Sequence, residues 1–191
     1  QDFTYYYVTS ESRLGDIPGT AVKFEEIEQL LQGIAPRNKL FLMDTCESGE
    51  ADEQGPGAMA LAGTKGIRAR TISPEKTKGF TLTKTVAKAV ADKNRWIYND
   101  LVRRSGAIVF SSSRGGESSL ESDEWKQGAF TYKLLAALRG KVADRNGDGL
   151  VSTDELEAFV AAEVPKLTGD YQHPTVDRDN LYQKFGFPIP K

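Results

Sequence analysis

Asp44-Thr45-Cys46-Glu47-Ser48-Gly49 puts a carboxylate, a thiol and a small-residue turn within one short stretch. Of these groups the cysteine, once deprotonated, is the strongest nucleophile. The apolar run Leu40-Phe41-Leu42-Met43 comes directly before it and reads as a buried strand, so Cys46 is expected where that strand leaves the sheet. Ligands of α/β proteins bind outside the carboxyl ends of strands. A thiol at such an exit is accessible, and backbone N–H groups near Cys46 and Glu47 can face an oxyanion that forms beside it. A free cysteine more often behaves as a small buried hydrophobe. Here its polar flanks, and the turn-forming Thr45, Ser48 and Gly49, favour an exposed sulfur beside a cleft. Asp44, two residues before Cys46, shares its side of the sheet by the two-residue period of a strand. A carboxylate there either satisfies backbone amides at the strand end or pairs with a cationic ligand, Arg above Lys through bidentate geometry.

A second constellation is Asp144-Arg145-Asn146-Gly147-Asp148-Gly149-Leu150-Val151-Ser152-Thr153-Asp154-Glu155. Oxygen side chains recur at Asp144, Asn146 and Asp148, and Gly149 supplies the sharp turn. Leu150 offers a backbone carbonyl, Ser152 takes the water-bridged position and Glu155 the bidentate one. That is the donor order of an EF-hand calcium loop, whose hard cation takes oxygen ligands. Apolar faces flank it, over Phe130 to Leu138 before and at Leu156, Phe159, Val160 and Val164 after. The competing interpretation is a polar helix connection with Glu155 in the first turn of the next helix. The completeness of the match favours calcium. Such loops usually work in pairs and no second one is present, so weak affinity and a structural role are expected, with Asp144, Asn146, Asp148, Leu150 and Glu155 as ligands.

The elements that must hold these groups follow from periodicity. A strand is expected over about Phe3 to Val8. Phe24, Ile27, Leu30, Leu31 and Ile34 fall at helical spacing, which predicts an amphipathic helix over about Lys23 to Gly33 leading through Pro36 into the cysteine strand. Residues 49–66, rich in Gly, Ala and acidic side chains, read as a loop. Helix is expected over about Thr83 to Arg104, stopped by Gly106 before a strand at Ala107 to Phe110. Helices alternating with short apolar strands indicate a mainly parallel sheet covered on both faces. Only three or four strands are visible, fewer than a doubly wound sheet normally has, so further strands are expected upstream of Gln1.

Composition narrows the function classes. Over 191 residues, 39% hydrophobic content suffices for one core. A net charge of −2 with scattered basic residues predicts no nucleic-acid partner. The single cysteine forms no internal disulfide, which favours a reducing, cytoplasmic compartment. No run of about 18 apolar residues or signal-peptide pattern is present, so no membrane partner is expected.

Asp-Thr-Cys-Glu-Ser-Gly after an apolar strand resembles the nucleophile motif of the caspase-like cysteine peptidases of clan CD. The likeness is in particular to the metacaspase and bacterial orthocaspase branch, whose usual form is Asp-x-Cys-x-Ser-Gly. Gly106-Ala-Ile-Val-Phe-Ser-Ser-Ser113 resembles the later core strand of that fold. Gly128-Ala-Phe-Thr-Tyr-Lys-Leu-Leu135 resembles the helix start after it, and Tyr5-Tyr6-Tyr7 the strand before the nucleophile. The resemblance implies a three-layer α/β/α sandwich over residues 1–191, with the EF-hand-like insert at about 128–165. It implies cleavage of protein or peptide substrates by Cys46, with Asp44 lining the pocket for an Arg or Lys before the scissile bond. In the family, the loop after the later strand borders the substrate cleft, and Glu117 and Glu121 are its candidate contacts here.

The family pairs its cysteine with a His-Gly motif upstream of the nucleophile. The sole histidine of this chain, His173, lies downstream before Pro174 in a polar stretch and is expected at the surface. The catalytic His is therefore expected upstream of Gln1, and this chain alone is not expected to hydrolyse peptides. The alternative is a catalytically silent caspase-like module that scaffolds partners, with calcium as a structural clip. If the enzyme is intact, self-cleavage is expected at basic sites after the nucleophile such as Lys65, Arg68 or Arg70.

Overall fold

In the computed structural model, residues 6–45, 67–69, 104–114 and 117–190 are described. The strand holding the motif, β3 (Lys39–Met43), follows a short pair, β1 (Tyr6–Tyr7) and β2 (Val22–Lys23), a single helical turn α1 (Ile17–Thr20), and the helix α2 (Phe24–Gly33). The helix bounds agree with the apolar spacing. Lys39 fixes the start of β3, its Nζ donating to the Leu31 carbonyl at 2.9 Å and to the Ser105 carbonyl at 3.0 Å. Carbonyls near a helix end lack intrahelical donors, so a lysine head is well placed to satisfy one.

Further along come β4 (Ile67–Ala69), β5 (Ala107–Ser111), β6 (Leu120–Ser122) and β7 (Gln127–Gly128), then α3 (Ala129–Arg139), β8 (Leu150–Ser152), α4 (Thr153–Thr168), β9 (Thr175–Asp177) and β10 (Gly186–Pro188). β5 lies at the centre of the sheet that positions the site. It pairs in parallel with β3, Leu42 opposite Phe110 and Met43 opposite Ser111, and antiparallel with β9, Phe110 opposite Val176. Among the described residues the sheet is therefore mixed, where the alternation of helices and strands suggested a mainly parallel one. The difference comes from β9, which lies in the stretch read from sequence as a polar tail.

Side chains of β5 alternate between two apolar clusters, as the two-residue period of a strand requires. Ile108 and Phe110 join Phe130 and Leu134 of α3 with Leu156, Val160 and Val164 of α4. Ala107 and Val109 join Phe24 and Leu31 of α2 with Met43 of β3. Every residue of β5 is buried, whereas Leu42 of β3 is 39% exposed. Among the described residues β3 pairs with a strand on one side only.

The 144–155 loop is closed by the carboxyl-terminal strand. β8 pairs antiparallel with β10, Val151 opposite Phe187, and the Ile189 N–H donates to the Gly149 carbonyl at 3.1 Å. Gly149 has φ +83°, a conformation that favours glycine, and an added Cβ would meet nothing within 4 Å. Its requirement is conformational. No helix among the described residues is long and apolar enough to cross a membrane. Of the helix expected over about Thr83 to Arg104, only Arg104 is described, and it is helical; the loop over 49–66 lies outside the described residues.

Candidate active site

Cys46 itself, with Glu47, Ser48 and Gly49, lies outside the described residues. The three residues before it are anchored by Ser112 after β5, Ser119 before β6 and Thr131 of α3. The Met43 carbonyl accepts from the Ser112 N–H at 2.9 Å, extending the β3–β5 ladder by one bond. The half-buried Asp44 carboxylate accepts a short hydrogen bond at Oδ2 from the Thr131 hydroxyl in the first turn of α3. The Thr45 carbonyl is approached by the Ser112 hydroxyl at 2.9 Å and the Ser119 hydroxyl at 3.1 Å. An ionised acceptor strengthens such bonds, and three anchors leave the strand end little freedom.

These serines belong to a buried polar network. Ser112, Ser113, Ser119 and Gln172 are each 0% exposed. The Gln172 amide nitrogen donates to the Ser112 carbonyl at 2.8 Å, and its oxygen accepts from the Leu120 N–H at 2.8 Å. One side chain thus ties the end of β5 to the start of β6. Buried polar groups are tolerated when every member is paired, and then they specify one geometry. The run Ser111-Ser112-Ser113 offered a signal, because three hydroxyls in succession at a strand end imply backbone carbonyls to satisfy. Gln172 offered none, being one polar residue among several in its stretch.

His173 departs from its expected place at the surface. Its side chain is 23% exposed and sits between two carboxylates. Nδ1 lies 2.9 Å from Glu117 Oε1, and Nε2 lies 3.0 Å from Asp170 Oδ1. Its backbone N–H donates to Glu117 Oε2 at 2.8 Å. The physical reason is that Gln172 is buried in the network, which pulls its neighbour inward. Glu117 does follow the carboxyl end of β5, but both its oxygens are engaged by His173. Glu121 is half-buried on β6, opposite Arg68 of β4 and Gly128 of β7. Lys65 and Arg70 lie outside the described residues.

The acidic loop is a separate cluster of carboxylate and amide side chains. Asp144 accepts from the Gly147 N–H at 2.7 Å and the Gly149 N–H at 3.1 Å, Asn146 from the Asp148 N–H at 2.9 Å, and Asp148 from the Leu150 N–H at 2.8 Å. Glu155 accepts from the Arg145 N–H at 2.9 Å and the Ser152 N–H at 3.0 Å, and completes a capping box at the start of α4 with Ser152. Each carboxylate oxygen has two acceptor positions, so these bonds leave capacity for a cation. Among the described residues no three His, Cys, Asp or Glu side chains are grouped as a metal cage. A cation here would need the Asn146 side chain and the Leu150 carbonyl as well. Oxygen donors of this kind fit calcium.

Backbone and hydroxyl donors from Ser152, joined by the Arg145 and Asn146 amides, hold the Glu155 carboxyl at about 2, below the usual 4.5. A depressed carboxyl stabilises the fold above its unfolded value and loses that contribution as pH falls through the folded one. The melting temperature should therefore fall between about pH 4.5 and 2, and fall less in Glu155→Gln. Equal pH slopes in thermal melts of the two proteins would contradict this.

The family model described as Caspase domain matches residues 11–186. The chain therefore belongs to the caspase-domain family, whose members are cysteine-type hydrolases with a caspase-like α/β fold. No curated protein and no solved structure matches it.

Proposed function

We propose that this chain is the nucleophile-bearing part of a cytoplasmic cysteine endopeptidase of the metacaspase and orthocaspase branch, cleaving proteins or peptides after Arg or Lys. The observation that supports the reading is the position of Asp44 and Thr45, the residues that precede Cys46 in sequence, just past the carboxyl end of β3 within a caspase domain, held by Ser112, Ser119 and Thr131. In this mechanism the Cys46 thiolate attacks the peptide carbonyl, and backbone amides of the turn hold the oxyanion. The leaving amine takes a proton, and water releases the acyl group. Asp44, oriented by Thr131, forms the floor of the pocket for the cationic side chain. Residues 1–191 act as one domain, with Glu117 and Glu121 at the rim of the cleft.

The base and acid come from a histidine encoded upstream. One observation supports this: both ring nitrogens of His173 face carboxylates. The test is digestion of an unstructured protein by the chain together with its upstream encoded segment, with new termini mapped by mass spectrometry. Ends after Arg and Lys are expected, and ends after acidic residues overturn the specificity.

The commitment of His173 also favours a second reading, a catalytically silent scaffold with a structural calcium site. It would hold if the upstream segment has no His-Gly motif.

In either reading, Asp144, Asn146, Asp148, Leu150 and Glu155 hold calcium as a clip on α3 and α4, remote from bond cleavage. β10, paired with β8, takes the place of a second loop. Binding to the folded state alone stabilises by about 2.7 kcal/mol at a free concentration a hundredfold above the dissociation constant. Millimolar calcium should raise the melting temperature of the unmodified protein and leave Glu155→Gln unchanged. An unmoved melting temperature in the unmodified protein identifies the loop as a helix connection.

A further inference from the structure

Asp44 lies between two pinned neighbours. The Met43 carbonyl accepts from the Ser112 N–H at 2.9 Å, and the Thr45 carbonyl lies 2.9 Å from the Ser112 hydroxyl and 3.1 Å from the Ser119 hydroxyl. With the backbone held on both sides, the direction of the carboxylate depends on what its oxygens meet. Oδ2 accepts from the Thr131 hydroxyl, 87 positions away in the chain. Thr131 stands on a firm mount. α3 starts directly after β7, which pairs with β6, and Ala129 and Phe130 beside it are fully buried in the cluster shared with α4. The first turn of α3 carries no acidic side chain of its own to compete for the hydroxyl. A helical threonine hydroxyl can turn back to a carbonyl three or four residues earlier, but it has one proton, and an ionised acceptor makes the stronger bond.

We infer that the Thr131 hydroxyl is what separates Arg from Lys at the proposed pocket: by holding the plane of the Asp44 carboxylate, it makes a site for any cation into a site for a guanidinium. The inference rests on Asp44 being the pocket floor of the proposed function. A guanidinium is planar and forms two parallel N–H···O bonds only when the carboxylate lies in its plane, so it gains from an acceptor whose plane is set in advance. An ammonium is a compact point charge with rotating donors, and it meets a carboxylate of any orientation about equally well. The two oxygens offer roughly four acceptor positions, so one hydroxyl still leaves the fork an acceptor on each. Thr131 acts through Asp44 and is a positioning residue.

The test is the ratio of kcat/KM for two fluorogenic peptides, identical except for Arg or Lys before the scissile bond, measured on the protein with its upstream encoded segment. In the unmodified protein the ratio should be on the order of tenfold in favour of Arg, the advantage of a preset bidentate pair over a point charge. Thr131→Val exchanges the hydroxyl for a methyl group of similar size. It should bring the ratio to within about twofold of unity, mainly by slowing cleavage after Arg. Thr131→Ser keeps the donor and should hold the ratio to within about twofold of the unmodified value. A merely structural role would move both peptides together and leave the ratio intact.

A folded Thr131→Val protein that keeps the full ratio overturns the inference and leaves the pocket standing. So does a Thr131→Ser protein that loses the ratio as the valine variant does, or an unmodified protein that cleaves after Arg and Lys equally. Equal cleavage after Arg and Asp by the unmodified protein, or no cleavage at all, overturns the proposed function and this inference together. If Thr131→Val does not melt cooperatively, Thr131→Ala carries the test, because the smaller side chain admits water to the carboxylate and water is not fixed to α3. The ratio should again fall to within about twofold of unity, and an unchanged ratio overturns the inference.

Discussion

Peptides that differ only in the residue before the scissile bond should be cleaved after Arg on the order of 10³-fold faster than after Asp, with Lys between them. The magnitude follows from charge. In the proposed pocket an Arg side chain would meet the Asp44 carboxylate with opposite sign and a planar fork of donors, while an Asp side chain would meet it with like sign, which costs several kcal/mol. Asp44 is half-buried and its Oδ2 accepts from the Thr131 hydroxyl on α3, so solvent screens the carboxylate incompletely and its plane is fixed from a second element. Asp44→Asn should slow cleavage after Arg and shrink the preference to on the order of tenfold, since both signs are then met by a neutral amide. Fluorogenic peptides assayed with the protein and its upstream segment decide this. Equal rates after Arg and Asp, or a preference for Asp, would remove Asp44 from the pocket.

Cys46→Ala should lower hydrolysis by on the order of 10⁴-fold or more while leaving the melting temperature within a degree or two of the unmodified protein. Alanine has no atom that can form the acyl intermediate, so the two-step route closes. Stability should hold because the anchors at the strand end, from Ser112, Ser119 and Thr131, act on residues 43–45, which the substitution leaves in place. A folded alanine variant that still cleaves would mean that another group in the full protein carries the chemistry.

What the sequence made legible was local and periodic. α2 over Phe24–Gly33, β3 over Lys39–Met43 and α3 over Ala129–Arg139 match the apolar spacing to within a residue or two, because amphipathic faces are written in that spacing. The contacts that tie the candidate site together were not legible. Thr131 meets Asp44 across 87 positions and Gln172 meets Ser112 across 60, and no pattern within either segment announces such pairs. β9 and β10 were not legible because three-residue strands carry too few side chains to show alternation. The burial of Gln172 and the clamping of His173 follow from the same long-range network.

The most direct test of the central claim is the intact mass of the protein with its upstream segment after exposure to a peptide that ends in an electrophilic arginyl ketone. One adduct should form, map to Cys46, and grow faster than with the otherwise identical aspartyl ketone. No adduct, or one that forms at the same rate with both peptides, would contradict a cysteine peptidase that selects basic residues through Asp44.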